Sequence, residues 1–332
     1  MTFSQVILLL VAGTLVPAEK ELRQFEAAQR SMGVEFKIAL YAADAETARA
    51  AFQRAFARID ELDGRFSDYR EDSELSLLSA TAGSDKFVPV SDELWRILCQ
   101  SRKFSEQSGG AFDVTVGPLT TLWRAAIRDR ALPDKSELEQ ALKATGYRLI
   151  EFDKSAKTIK LTRPGMRLDL GGIAKGYAAD EALQVLREMG INHAMVDASG
   201  DLAFGDAPPG KAGWKVQIAA LDKSALPQDV LVLKNCGAAT SGDKYQFLEV
   251  DGKRYSHIVD PRTGYGVLGK GSFTVIASDA TQADALASAV SVLGLDGTTL
   301  LEKTDHFQGL IQLQIDNKIQ TKQTAGFKQF LK

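Results

Sequence analysis

Val34, Phe36, Ile38 and Leu40 are apolar at every second position, which predicts a β-strand. Asp44 then stands where an N-cap belongs, and Ala48, Ala51, Phe52, Ala55, Phe56, Ile59 and Leu62 recur at helical spacing. A second helix is predicted over 92–107 behind Ser91, closed by Gly109-Gly110. Pro118 opens a third at its first position, and a fourth runs over 136–145 to Gly146. Two more are predicted from Gly176 to Met189, ended by Gly190, and from Asp279 or Ala280 to Leu293, ended by Gly294. Residues 147–152 and 157–162 read as a hairpin around Lys154-Ser155. Further strands are predicted at 193–198, 214–220, 229–235, 255–259, 271–277 and 309–315. Helices do not strictly alternate with these strands, so the pattern predicts an α+β fold with mixed or antiparallel sheets and packed helices.

The first residues break this pattern. Val6 to Val16 is an apolar run of eleven residues, too short for a bilayer core of about 30 Å. Val16-Pro17-Ala18 places small residues at the −3 and −1 positions of a signal cleavage site, although residues 1–5 carry no Lys or Arg. The expectation is a signal peptide over 1–18 and one domain over 19–332. The protein would be exported, periplasmic or attached to the outer face of the inner membrane, with peripheral membrane association at most.

Composition narrows the function classes. With 45% hydrophobic and 25% charged residues, the 332-residue chain is an ordinary globular protein rather than a disordered one. Its net charge of −3 leaves no basic footprint for nucleic acid. Cys99 and Cys236 form neither a disulfide framework nor a CxxC pair, and a total of three histidines argues against a histidine-rich metal cluster. Gly264 to Gly269 matches G-x-G-x-x-G, but a β-like run follows it where a dinucleotide fingerprint needs a helix.

Four segments carry candidate chemistry, each with a plain structural reading beside it. Asp169-Leu-Gly171-Gly172-Ile-Ala-Lys175-Gly176 puts an acid and two glycines ahead of a helix whose N-terminus suits an anion, with Lys175 placed to meet phosphate. It can equally be a glycine-rich turn with a surface lysine. Asp284 and Ser288 share one helix face, and their oxygens suit a hard cation such as Mg²⁺; the alternative is a tightly packed core helix. His257 can move a proton and Arg262 can fork onto phosphate, or the pair simply flanks a β-turn. Phe112 can lie against a flat ring while Asp113 accepts a hydrogen bond from it, or the two are a core ring and a capping acid.

Together and in this order these segments resemble the ApbE family of flavin transferases. The matching pieces are Met32-Gly33; Ser67-Asp-Tyr69 with Ser73-Glu-Leu-Ser76; Gly110-Ala-Phe-Asp113-Val-Thr-Val-Gly-Pro118; Asp169 to Gly176; Asp197-Ala-Ser-Gly-Asp201; Ala239-Thr-Ser-Gly242; His257-Ile-Val-Asp-Pro261 with Thr263-Gly264; and Ala283 to Ser288. The resemblance implies a T-fold-like α+β domain that binds FAD as substrate and depends on Mg²⁺. It would transfer FMN to a Thr or Ser hydroxyl of an acceptor flavoprotein and release AMP. It implies flavin contacts at Met32, Tyr69, Ala111, Phe112, Asp113, Asp169, Lys175 and Ile258, and a metal site at Gly172, Asp284 and Ser288. His257 is the candidate for taking the hydroxyl proton or orienting the phosphate. Two departures from the family pattern stand out: Ser288 replaces the usual Thr, which keeps the oxygen and loses a methyl group, and Val34 replaces Thr after Met32-Gly33. Two competing readings share the same residues: hydrolysis of FAD to FMN and AMP, and flavin binding without turnover.

Overall fold

The computed structural model describes residues 21–332 except 219–220, 222–229, 243–245, 304–305 and 316–317. The leader expected over 1–18 lies outside the described residues, as do parts of the strands expected at 214–220 and 229–235. The chain runs through β1 (Arg23–Ser31), β2 (Val34–Ala42), α1 (Ala45–Phe66), α2 (Glu74–Ser79), β3 (Val88–Pro89), α3 (Asp92–Gln107), α4 (Gly117–Asp129) and α5 (Lys135–Lys143). There follow β4 (Ile150–Asp153), β5 (Thr158–Leu161), α6 (Ala174–Glu188), β6 (Ala194–Ala198), β7 (Asp201–Phe204), β8 (Trp214–Gln217) and β9 (Val230–Leu233). Next come β10 (Cys236–Gly242), β11 (Phe247–Val250), β12 (Lys253–Val259), β13 (Gly266–Leu268), β14 (Lys270–Ala277) and α7 (Ala280–Leu293). α8 (Gly297–Leu301), β15 (Gln308–Ile315) and β16 (Lys318–Gln323) complete it.

Eight strands form the main sheet in the order β1-β2-β6-β7-β10-β14-β15-β16, and each of its neighbouring pairs is antiparallel. The α+β class expected from the pattern is what the chain adopts. Helices α1, α6 and α7 cover one face, where Phe36, Ile38, Leu40, Ile59, Leu62 and Leu286 are almost fully buried. Each such side chain contributes about 1.5–3 kcal/mol through burial. The other face buries Phe204, Trp214, Leu231, Ile276 and Phe327 beneath the β8–β9 hairpin and the C-terminal turn. A satellite core around Trp123, Leu138, Leu248 and Tyr255 joins α4 and α5 to the β11-β12-β13 sheet.

Local signals set the element ends. Asp44 accepts from the Thr47 N–H at 2.9 Å, Ser91 from Leu94 at 3.2 Å, and Asp279 from Gln282 at 2.8 Å, each capping a helix. Two expectations shift: α5 ends at Lys143 rather than 145, and residues 147–149 form a 3-10 turn before β4. Strand β10 had no apolar alternation to announce it, since it reads Cys-Gly-Ala-Ala-Thr-Ser-Gly. Packing explains that sequence: a Cβ on Gly237 would stand 2.1 Å from the backbone at the start of α7.

Candidate functional site

A cavity of about 820 Å³ opens where α4, the N-terminal end of α6, α7, β12 and the β1–β2 turn approach one another. Met32, Tyr69, Ala111, Phe112, Asp113, Asp169, Gly172, Lys175, His257, Ile258, Asp284 and Ser288 all line it, so the residues singled out from the sequence come together in one place.

Its floor is a charged cluster. α6 starts at Ala174, and Ala174 and Lys175 line the cavity at the positive end of the helix. The Lys175 ammonium is bonded to Asp201 and lies 3.7 Å from Asp284, while the other Asp284 oxygen accepts the Gly176 N–H at 3.1 Å. Asp201 and Asp284 are 4% and 2% exposed. Burial opposes the charge on Lys175, but the two carboxylates outweigh it and raise its pKa. Burial pushes Asp201 up to about 7, helped by Asp284 and opposed by Lys175; burial likewise raises Asp284. One ammonium cannot neutralise two buried carboxylates, so the fully ionised cluster is one positive charge short.

The donor set suits a hard cation. A Cβ on Gly172 would stand 2.7 Å from the Ser288 hydroxyl, so the glycine turn reaches α7 at its half-buried serine. Among the described residues no three His, Cys, Asp or Glu side chains gather as a metal cage. What gathers instead is a carboxylate, a hydroxyl and a glycine turn, the sparse oxygen set that leaves room for water and phosphate. Gly176 makes this proximity possible, because a Cβ there would stand 2.2 Å from the Ala280 carbonyl oxygen and 2.9 Å from Asp284 Cβ.

A second charged group holds the opposite wall. Arg124 of α4 donates to Asp68 at 2.5 Å and to Asp169 at 2.9 Å, and its guanidinium lies 4.4 Å from the centre of the Tyr69 ring. Thr120, one turn earlier, donates to the same Asp169 oxygen at 2.8 Å. The other Asp169 oxygen accepts the Gly171 N–H at 2.8 Å, which fixes the turn before α6.

The remaining candidates have defined partners. Met32 and Gly33 form a two-residue hairpin turn with φ of 50° and 74°, the doubly left-handed geometry that matches strand twist. Asp113 accepts from Thr115 N and Oγ1 at 2.8 and 2.7 Å and from Tyr147 N at 2.6 Å. Its carboxylate therefore ties the loop together, rather than standing open to a ring as the sequence allowed. Phe112 packs edge-on against Phe104 with centroids 6.3 Å apart. His257 Nδ1 lies 3.1 Å from the Gln246 carbonyl oxygen. Arg262 forks onto its own Asp260 at 2.9 and 2.8 Å, so it is engaged at the turn and does not line the cavity. Sequence reasoning gave no role to Asp201, which sits inside a quoted run, and passed over Arg124 and Thr120. Their only signal was an i, i+4 pair on α4.

The ApbE family profile matches residues 32–311. A Treponema pallidum (strain Nichols) protein named FAD:protein FMN transferase is 32% identical over 321 residues, covering 92% of this chain and 88% of that protein. A Haemophilus influenzae protein of the same name is 27% identical over 98% of this chain and 96% of its own length. The crystal structure of the ApbE protein from Thermotoga maritima superposes with a TM-score of 0.83 at 30% identity, over 93% of this chain and all of that one. Flavin transferase ApbE from Vibrio cholerae gives the same TM-score at 27% identity, over 94% of this chain and 100% of that one.

Proposed function

Because the chain belongs to the ApbE family, we propose that it transfers FMN from FAD to a hydroxyl of an acceptor protein and releases AMP. The observation that carries the chemistry is the meeting of Lys175, Asp284 and the glycine turn at the start of α6 on one cavity floor. The positive end of a helix favours an anion, so the FAD diphosphate belongs beside the start of α6. Asp284, Ser288 and the Gly172 turn would hold Mg²⁺, which supplies charge neutralisation on the phosphoryl oxygens. Asp201 holds the Lys175 ammonium in place between the two carboxylates, on the same floor as the proposed cation site. Tyr69, Met32, Ala111, Phe112 and Ile258 offer the apolar wall for the flat ring systems.

A Thr or Ser oxygen of the acceptor attacks the phosphorus on the FMN side. The bond from that phosphorus to the bridging oxygen breaks, AMP departs with the electron pair, and FMN remains in phosphoester linkage. His257, on the cavity wall, takes the hydroxyl proton. Positioning and electrostatics supply most of the rate in such transfers. The apolar run 6–16 ahead of Val16-Pro17-Ala18 supports export to the periplasm or the outer face of the inner membrane.

The test is incubation of the protein with FAD, Mg²⁺ and an acceptor domain bearing a threonine, followed by intact-mass measurement of the acceptor. A gain of one FMN residue is expected. Free FMN and AMP with an unchanged acceptor would instead identify hydrolysis, and FAD recovered whole would identify a binding protein.

A further inference from the structure

Arg124 is the residue at which three separated pieces of the cavity wall meet. Its two terminal nitrogens bind carboxylates 101 positions apart, Asp68 and Asp169, and its guanidinium carbon lies over the Tyr69 ring. Tyr69 is 75% exposed, so core packing does not fix its ring, and the guanidinium 4.4 Å from its centre is the contact that biases its orientation. Asp169 in turn holds the Gly171 N–H and so the turn that leads into Lys175.

Charge separates two roles that an arginine in such a cavity can have. A guanidinium free to bind phosphate would bring surplus positive charge. This one is flanked by two carboxylates that are 9% and 7% exposed, and both of its bonds run to them. A second guanidinium, Arg167, is bonded to the Asp68 backbone carbonyl on the same loop. The pairing leaves Arg124 no net charge to offer a diphosphate, while its geometry orients a ring on one side and the phosphate turn on the other.

We propose that Arg124 is a positioning residue for the dinucleotide: it sets the plane of Tyr69 and the orientation of Asp169 before FAD arrives. The proposal rests on the FAD-transfer reading and goes beyond it by assigning binding-site preorganisation to a residue outside the motifs. Lysine cannot replace it, since an ammonium presents a point charge and neither the fork nor the flat face.

The test compares wild type, Arg124→Lys and Arg124→Gln by FAD dissociation constant, read from quenching of flavin fluorescence, and by kcat and KM for transfer to an acceptor. Both variants are expected to weaken FAD binding and raise KM about tenfold, with kcat within about threefold of wild type. Adding Tyr69→Ala to Arg124→Gln is expected to cost less than the product of the two single effects, because the arginine acts partly through that ring. Thr120→Val, a milder change on the same Asp169 oxygen, is expected to weaken binding in the same direction and covers the case in which Arg124→Gln does not fold. Wild-type affinity in Arg124→Lys, a fall in kcat at unchanged affinity, or fully multiplicative effects with Tyr69→Ala would overturn the proposal. Wild type that neither binds nor turns over FAD would instead overturn the transfer reading itself.

Discussion

In the proposed cation site, Asp284 serves binding at the expense of stability. Its carboxylate is buried, and burial raises its pKa. Asp284→Asn keeps the shape and can still accept the Gly176 N–H, but it removes the charge that a cation needs. Transfer and Mg²⁺ binding are expected to be lost, while the melting temperature stays level or rises. Calorimetric titration with Mg²⁺ and thermal unfolding check the two halves separately; a variant that still binds the ion as wild type does would remove Asp284 from the metal site. Proton competition gives a second expectation. Asp201 titrates near 7 in the metal-free cluster, pushed up by burial and by Asp284. Mg²⁺ affinity should therefore fall as pH drops from about 8 to 6, because a proton on Asp201 removes a negative charge from the cluster that holds Asp284. Affinity that is flat over that range would contradict it.

At the scale of elements, the crossing of α6 and α7 decides whether the site exists. Gly176 lets the helices touch backbone to backbone, with a Cβ position 2.2 Å from the Ala280 carbonyl oxygen. Gly176→Ala gains helix propensity worth about 1 kcal/mol, yet the clash costs roughly 1–3 kcal/mol or more and displaces Asp284. Chemical denaturation should show a net loss of stability together with lost Mg²⁺ binding. Asp180 of α6 adds a pH-dependent contact at the same crossing, accepting from Ala280 N at 3.0 Å, Thr281 N at 2.8 Å and Thr281 Oγ1 at 2.6 Å. Burial, with Asp279 nearby, raises its pKa from 3.8 to about 6 despite those bonds. Between these values the folded chain holds the proton more tightly than the unfolded chain does. This group's contribution is thus fully present below the lower value and falls by roughly 3 kcal/mol as pH rises through 6. Asp180→Asn should flatten that part of the melting-temperature profile. Much of this scale was legible in the sequence: α1, α3 and α7 carry apolar stripes and capping acids or serines. Strands β1 and β10 were not legible. β1 is an edge strand with a polar outer face, and β10 is stripped to small residues by α7 pressing on it. The site's motifs were readable because glycines and acids cluster in short runs. The Arg124 bridge was not, since its partners lie 56 and 45 positions away along the chain.

The whole molecule is a sheet with two differently covered faces. The catalytic layer of helices occupies one; the other is sealed late in the chain by Phe327, which is fully buried, and by the Lys332 N–H bonded to Val230 at 2.9 Å. Phe327→Ala should destabilise the protein by about 3–5 kcal/mol while leaving FAD affinity of the folded fraction unchanged, because that face is remote from the cavity lining. Thermal unfolding with and without FAD separates the two effects. A matching loss of flavin affinity at a temperature where the variant is folded would show that the faces are coupled.

The cavity draws on residues from Met32 to Val292, and the main sheet is laid down strand after strand in chain order. A chain cut short before α7 consequently lacks Asp284, Ser288 and Val292, and with them the wall that faces the glycine turn, however well its earlier strands pair.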